Sequence, residues 1–143
     1  MPWCHAERTE EEGLEWYRAC EDNWRAGVEY EFSAFSTSGE FLGAGGLNQF
    51  NLVHKFANLG YWVRQSRQGN GIAVEVARLL ADFGFRVLCL ARIEIVVAED
   101  NFPSRRVAEK LGATYEGILR RRILLRGAST DAAMYSLIPS VGP

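Results

Sequence analysis

The sequence predicts one α/β domain, a mixed sheet with helices packed against it. Three observations carry this. The chain has 143 residues, the length of a single domain. Its segments run helix, two strands, strand, helix, strand, helix, two strands. The strand–helix–strand middle demands local parallel pairing, whereas the hairpins at each end are antiparallel. With 48% hydrophobic residues, a chain of this size buries roughly 68% of its unfolded surface, enough for one core.

Thr9-Glu10-Glu11-Glu12 reads as a helix start, with the Thr9 hydroxyl capping the first turn and Glu12 reaching back to the cap amide. Leu14, Tyr17, Cys20 and Trp24 follow at helical spacing until Gly27, a natural stop. Residues 28–33 alternate strictly between polar and apolar and predict a half-buried strand. Thr37-Ser38-Gly39-Glu40 is a turn, and residues 41–50 its antiparallel partner. Gly43, Gly45 and Gly46 weaken that partner but let another backbone or a ligand come close. Residues 59–64 form a third strand.

A polar loop over residues 65–70 then enters a long helix with Ile72, Val76, Leu79, Leu80, Phe83 and Val87 at the 3.6 period. Residues 92–98 are β-branched and short, hence a buried strand. Asn101-Phe102-Pro103-Ser104 opens a shorter helix, with Pro in the first turn and Gly112 closing the segment. Two final strands, near residues 114–119 and 131–138, flank Arg120-Arg121-Arg122.

Several classes are excluded by composition. There are 16 Lys+Arg against 18 Asp+Glu, so no clustered cationic footprint exists for nucleic acid. No stretch approaches the ~20 apolar residues of a membrane span, and no signal peptide is recognisable. Cys4, Cys20 and Cys89 form no CxxC pair, and with His5 and His54 as the two histidines no usual zinc spacing can be built. Three reduced thiols in a cytoplasmic protein are expected.

The most informative stretch is Val63-Arg64-Gln65-Ser66-Arg67-Gln68-Gly69-Asn70-Gly71-Ile72-Ala73. A strand ends and a helix begins, with no side chain on Gly69 or Gly71. Such a loop aims several unpaired amides outward at the positive end of the helix dipole, a site for phosphate or pyrophosphate. A Cβ would hold the anion off those amides. Val74 stands where a dinucleotide fingerprint needs its third glycine, so that family fits poorly.

Gln68-Gly69-Asn70-Gly71-Ile72-Ala73 matches Q/R-x-x-G-x-G/A and resembles the acetyl-CoA-binding motif of the GNAT superfamily of N-acetyltransferases. Asn101-Phe102-Pro103-Ser104 and Val107-Ala108-Glu109-Lys110-Leu111-Gly112-Ala113 resemble a run in the branch that acetylates ribosomal-protein N-termini. Leu59-Gly60-Tyr61-Trp62-Val63-Arg64 and Met134-Tyr135-Ser136-Leu137 are similar to that branch as well. The resemblance implies an acyl-CoA N-acyltransferase-like fold: a mostly antiparallel sheet with a splayed parallel pair and helices on both faces.

The resemblance also implies acetyl-CoA as co-substrate, no metal, and a primary-amine acceptor, a protein N-terminus of ribosomal type. Gln68, Gly69, Asn70, Gly71, Ile72 and Ala73 would grip the pyrophosphate, and Trp62, Val63 and Arg64 would pair with the pantetheine amides. A backbone N–H there would polarise the thioester carbonyl. In many members a Tyr four residues beyond the position of Ser104 serves the leaving thiolate. Ala108 stands here instead, and the implied hydrogen-bond donor is Ser104, with Asn101 orienting the helix start and contacting the pantetheine. Both also count as cofactor-binding.

No general base is assigned. Glu94, Asp131 and Tyr135 form no pair or triad in sequence and read as structural or solvated. Arg120, Arg121, Arg122 and Arg126 read as a solvated strand edge. Trp3, Trp16, Trp24 and Trp62 could line an acceptor pocket but read first as core material.

Related enzymes begin with a strand and a helix ahead of the segment resembling Pro2-Trp3-Cys4-His5, so the domain, residues 1–143, reads as short at its N-terminus. Cofactor binding is expected to survive this. An uncovered edge strand over residues 28–33 is expected to invite a homodimer. Three other readings stand beside this one. One is a non-catalytic acyl-CoA-binding or regulatory module, motivated by Ala108 and the short N-terminus. A second is transfer to a small amine or antibiotic, since function lives in the site rather than the fold. The third is a purely structural α/β domain whose glycines only satisfy turn geometry, with no affinity for CoA.

Overall fold

The computed structural model describes residues 9–140; Trp3, Cys4 and His5 lie outside the described residues. Helix α1 (Glu10–Ala26) starts on the expected capping box: the Thr9 hydroxyl accepts from the Glu12 amide at 3.2 Å, and the Glu12 carboxylate accepts from the Thr9 amide at 2.8 Å. It ends at Gly27 in the left-handed region, φ 69°. The next two amides, Val28 and Glu29, still donate to Asn23 O. That keeps them out of the sheet, so β1 (Tyr30–Phe35) begins two residues later than the alternation predicts.

Strand β2 (Phe41–Asn51) pairs antiparallel with both β1 and β3 (Phe56–Val63). After helix α2 (Ile72–Arg86), strand β4 (Arg92–Ala98) runs parallel to β3, as the strand–helix–strand order requires. Helix α3 (Phe102–Lys110) leads to the hairpin β5 (Thr114–Leu125) and β6 (Ala128–Leu137). The six strands lie in the order β1-β2-β3-β4-β6-β5. β3 and β4 share only three paired positions, ending at Asn58 and Glu94, and then part company.

Strand β5 passes through the basic run rather than stopping before it. Pairing with β6 breaks after Leu119 and resumes at Ile123, and the Arg121 amide in the bulge donates to Asp131 Oδ1 at 2.8 Å. A side-chain acceptor replaces the missing ladder bond, so the hairpin survives the irregularity.

Cross-strand partners share a face. Leu47, Leu59, Ile93, Ile95 and Tyr135 point to one side and form the core with Ala77, Leu80 and Ala81 of α2 and Ala108 of α3. Both helices therefore close that face. The other side carries Glu31, Gly46, Asn48, Asn58, Gly60, Trp62, Glu94 and Ser136. Of the residues at the helical period, Leu79 of α2 and Val87, its C-cap residue, remain exposed. Leu14, Tyr17 and Trp24 of α1 are also exposed, and Trp24 joins Tyr30, Phe32 and Phe83 in an edge-to-face ring cluster.

Candidate functional site

The loop after β3 is built by three short devices. The Arg64 amide ends the ladder by donating to Leu42 O at 2.8 Å. A single 3-10 turn, Gln65–Arg67, follows, with the Arg67 guanidinium held by both Glu40 carboxylate oxygens. Asn70 Nδ2 then donates to Arg67 O at 3.3 Å.

Gly69 and Gly71 sit at φ +83° and +74°, and space is open where their Cβ atoms would be. A left-handed backbone is what glycine permits, and the bare Cα lets a ligand approach. Gly71 caps α2 without a side-chain hydrogen bond. Among the described residues, none of the amides from 69 to 74 donates to a protein acceptor; the first that does is Glu75, to Gly71 O. Six donors are thus left without a protein acceptor at the positive end of α2, where a phosphate or diphosphate is favoured.

Strand β3 supplies a second set of main-chain groups. Because the Arg64 amide points to β2, alternation turns Trp62 the same way and turns Tyr61 and Val63 toward the gap left by β4. Val63 O accepts the Gln68 side-chain amide at 3.2 Å. Of Trp62, Val63 and Arg64, Val63 alone therefore offers its peptide to the gap, and Tyr61, absent from the sequence-based set, offers another.

The far wall is the start of α3. Asn101 caps it, its side-chain oxygen accepting from the Ser104 amide at 3.3 Å. Ser104 is half-buried, and its carbonyl accepts the Tyr61 hydroxyl at 3.2 Å. Burial foremost pushes the Tyr61 hydroxyl up to about 12, so it stays protonated and ties β3 to α3 across the mouth.

A cleft of about 730 Å³ joins these parts, from Gln68, Gly69 and Gly71 past Trp62 and Val63 to Asn101 and Ser104. Ile72 and Ala73 line it too, whereas Arg64 and Asn70 do not. The structure adds Arg67, Arg106 and Lys110. The last two stand four residues apart on α3, on one helical face, a spacing visible in the sequence.

Glu94, Asp131 and Tyr135 are engaged elsewhere. Arg92 donates to Glu94 at 3.0 Å and to both Glu116 oxygens at 2.6 and 2.8 Å. These bonds, with the Ser136 hydroxyl, hold the Glu116 carboxyl down at about 2. Asp131 supports the β5 bulge. Tyr135 is buried, its hydroxyl bonded to Arg105. A further residue that sequence reasoning did not single out is Glu31, whose carboxyl is pushed up to about 7, first by burial and then by Glu29. Its strand alternation was legible, but its neighbours across β2 depend on register. Among the described residues no group of His, Cys, Asp or Glu could hold a metal ion. No helix there is long and apolar enough to cross a membrane.

Comparison with known proteins gives consistent relatives. The acetyltransferase (GNAT) domain family matches residues 1–114. The ribosomal-protein-serine acetyltransferase of Escherichia coli K12 is 31% identical over 99 residues, covering 69% of this chain and 55% of that protein. The spermidine N(1)-acetyltransferase of the same strain is 32% identical over 94 residues, covering 66% and 50%. A solved structure from Vibrio cholerae, named as a candidate ribosomal-protein-serine acetyltransferase, superposes with a TM-score of 0.83 at 31% identity, over 92% of this chain and 76% of that one. The chain spans between half and two thirds of the length of the curated relatives it matches.

Proposed function

Because the chain belongs to the GNAT acetyltransferase family, we propose that it transfers an acetyl group from acetyl-CoA to a primary amine. The observation that carries this is the run of undonated amides over residues 69–74, of which Gly69, Gly71, Ile72, Ala73 and Val74 line a cleft that reaches Ser104. In this reading those amides hold the diphosphate, with Gln68, Asn70, Ile72 and Ala73 shaping the loop around it. Val63 and Tyr61 offer peptide groups to the pantetheine arm. Arg67, Arg106 and Lys110 give the cleft positive charge for phosphate.

Transfer asks for a donor at the departing sulfur and a neutral amine at the carbonyl carbon. Ser104 Oγ supplies the hydrogen bond to sulfur, and Asn101 fixes Ser104 through the cap. Ala108 is buried in the core and its methyl group has no hydrogen to donate to sulfur. The acceptor we favour is a protein N-terminus of the ribosomal type, supported by the Escherichia coli relative of that name. The spermidine enzyme among the relatives supports a second reading, a small polyamine. A cytoplasmic setting accompanies both, in keeping with the exposed free thiol of Cys89. We further propose that the exposed edge of β1 pairs with a second copy.

Two measurements test the reading. A ligand at 100 times its Kd adds about 2.7 kcal/mol, so acetyl-CoA should raise Tm by roughly 5–10 °C for a chain of this size. Thiol release from acetyl-CoA with N-terminal peptides and polyamines should then show turnover, and Ser104→Ala should lower kcat. No thermal shift overturns the cofactor site. A shift without thiol release against any amine points instead to a non-catalytic acyl-CoA-binding module.

A further inference from the structure

The face of the sheet opposite α2 and α3 carries one row that bears on the acceptor. Glu31 of β1, Gly46 of β2 and Gly60 of β3 are register partners, so they lie side by side on this face. The Glu31 carboxyl lies over Gly46, in the space a Cβ there would need. Gly60 has no atom within 4 Å of a would-be Cβ. Neighbouring strands stand about 4.8 Å apart, so only about one strand spacing separates that carboxyl from open space above Gly60.

Gly60 is also the first position on this face beyond Asn58, where β3 and β4 stop pairing. The row therefore leads from a carboxyl, across two residues with no side chain, to the mouth of the gap. On the opposite face the gap is walled by α2 and α3, whose starts line the cleft. With acetyl-CoA filling that cleft, the Glu31 side is the approach left to an acceptor.

We infer that the acceptor amine enters along this glycine-floored trough and that Glu31 takes its proton. The inference rests on the acetyltransferase reading. The ammonium form of the acceptor gives one proton to the Glu31 carboxylate, which passes it to solvent. The freed lone pair attacks the thioester carbonyl carbon, forming the C–N bond. The C–S bond breaks, and the sulfur carries away the second proton that the nitrogen loses.

The surroundings suit the task. Among the described residues the charged neighbour on this segment is Glu29, just ahead of β1, whose carboxylate accepts from Asn23 of α1 at 3.1 Å. The flanking positions on this face of β2 are Ala44 and Asn48, and those of β3 are Asn58 and Trp62, all uncharged. On β4, Glu94 is paired with Arg92. Among the described residues no cation contributes to holding Glu31 ionised, and its elevated affinity for a proton near pH 7 matches a general base at neutral pH.

The test combines two variants with kinetics on the full chain, using acetyl-CoA and the best amine of the panel. Glu31→Gln keeps shape and should leave the acetyl-CoA thermal shift intact. It should lower kcat/KM by on the order of 10²-fold or more and abolish the rising acid limb of its pH profile. Glu31→Asp should restore part of that limb. Gly60→Val should raise KM for the amine with the thermal shift unchanged. Wild-type kinetics and an unchanged pH limb in Glu31→Gln, with an unaltered amine KM in Gly60→Val, overturn the inference alone. A wild-type chain with no turnover overturns it together with the reading on which it rests.

Discussion

Two carboxyls on the same face of the sheet are pulled in opposite directions by their neighbours. Arg92 and Ser136 hydrogen-bond Glu116 and hold it at about 2, whereas burial beside Glu29 lifts Glu31 to about 7. For Glu31 the folded chain binds the proton more tightly than the unfolded chain. The stability this contributes is complete below about pH 4.5 and is lost as pH rises through about 7. For Glu116 the sign reverses: its contribution is present above about pH 4.5 and lost as pH falls toward 2. Glu31→Gln removes the ionisation, so its Tm relative to wild type should be higher at pH 8 than at pH 5. Differential scanning fluorimetry at the two pH values checks this, and an equal Tm difference at both refutes it.

At the scale of the element, β2 shows how a run of glycines serves two faces. A Cβ on Gly45 would come within 2.7 Å of Leu80 Cδ1 and 2.9 Å of Gly60 O, so α2 rests where that side chain would be. Gly46, next in sequence, leaves the same room for Glu31 on the other face. Gly45→Ala should therefore destabilise by about 1–3 kcal/mol through overpacking. Its urea midpoint should fall at unchanged m, while Gly60→Ala, facing open space, stays near wild type.

The sequence announced close approach at these glycines but not what approaches, because that depends on register across three strands. Local signals fared better. The Thr9–Glu12 box, the β-branched run of β4, and Pro103 with Asn101 at the start of α3 each mark their element without long-range information. So does the Gly69–Gly71 loop, whereas the cleft beside it joins segments far apart in the chain and was expected only through the family resemblance. The continuation of β5 through its arginines was not legible, since it hangs on Asp131 filling one vacancy ten residues away. Tyr61 was missed for a related reason: which residues of β3 face the gap is settled by a single ladder bond at Arg64.

For the whole molecule, the two edges of the sheet among the described residues are β1 and β5, and β1 has Val28 54%, Phe32 36% and Phe35 60% exposed beside it. An unpaired, apolar edge of this kind is a template for another strand. Sedimentation should show association that grows with protein concentration, and Phe35→Lys should reduce it. A wild-type chain that stays monomeric throughout the concentration series contradicts the pairing.

The same sheet is two antiparallel blocks, β1-β2-β3 and β4-β6-β5, joined edge to edge by the short contact of 56–58 with 92–94. It is stitched like a book whose two covers meet along a brief spine. Any torque between the covers concentrates on those three rungs, and α2, lying across β2, β3 and β4, acts as the binding that keeps the pages from turning.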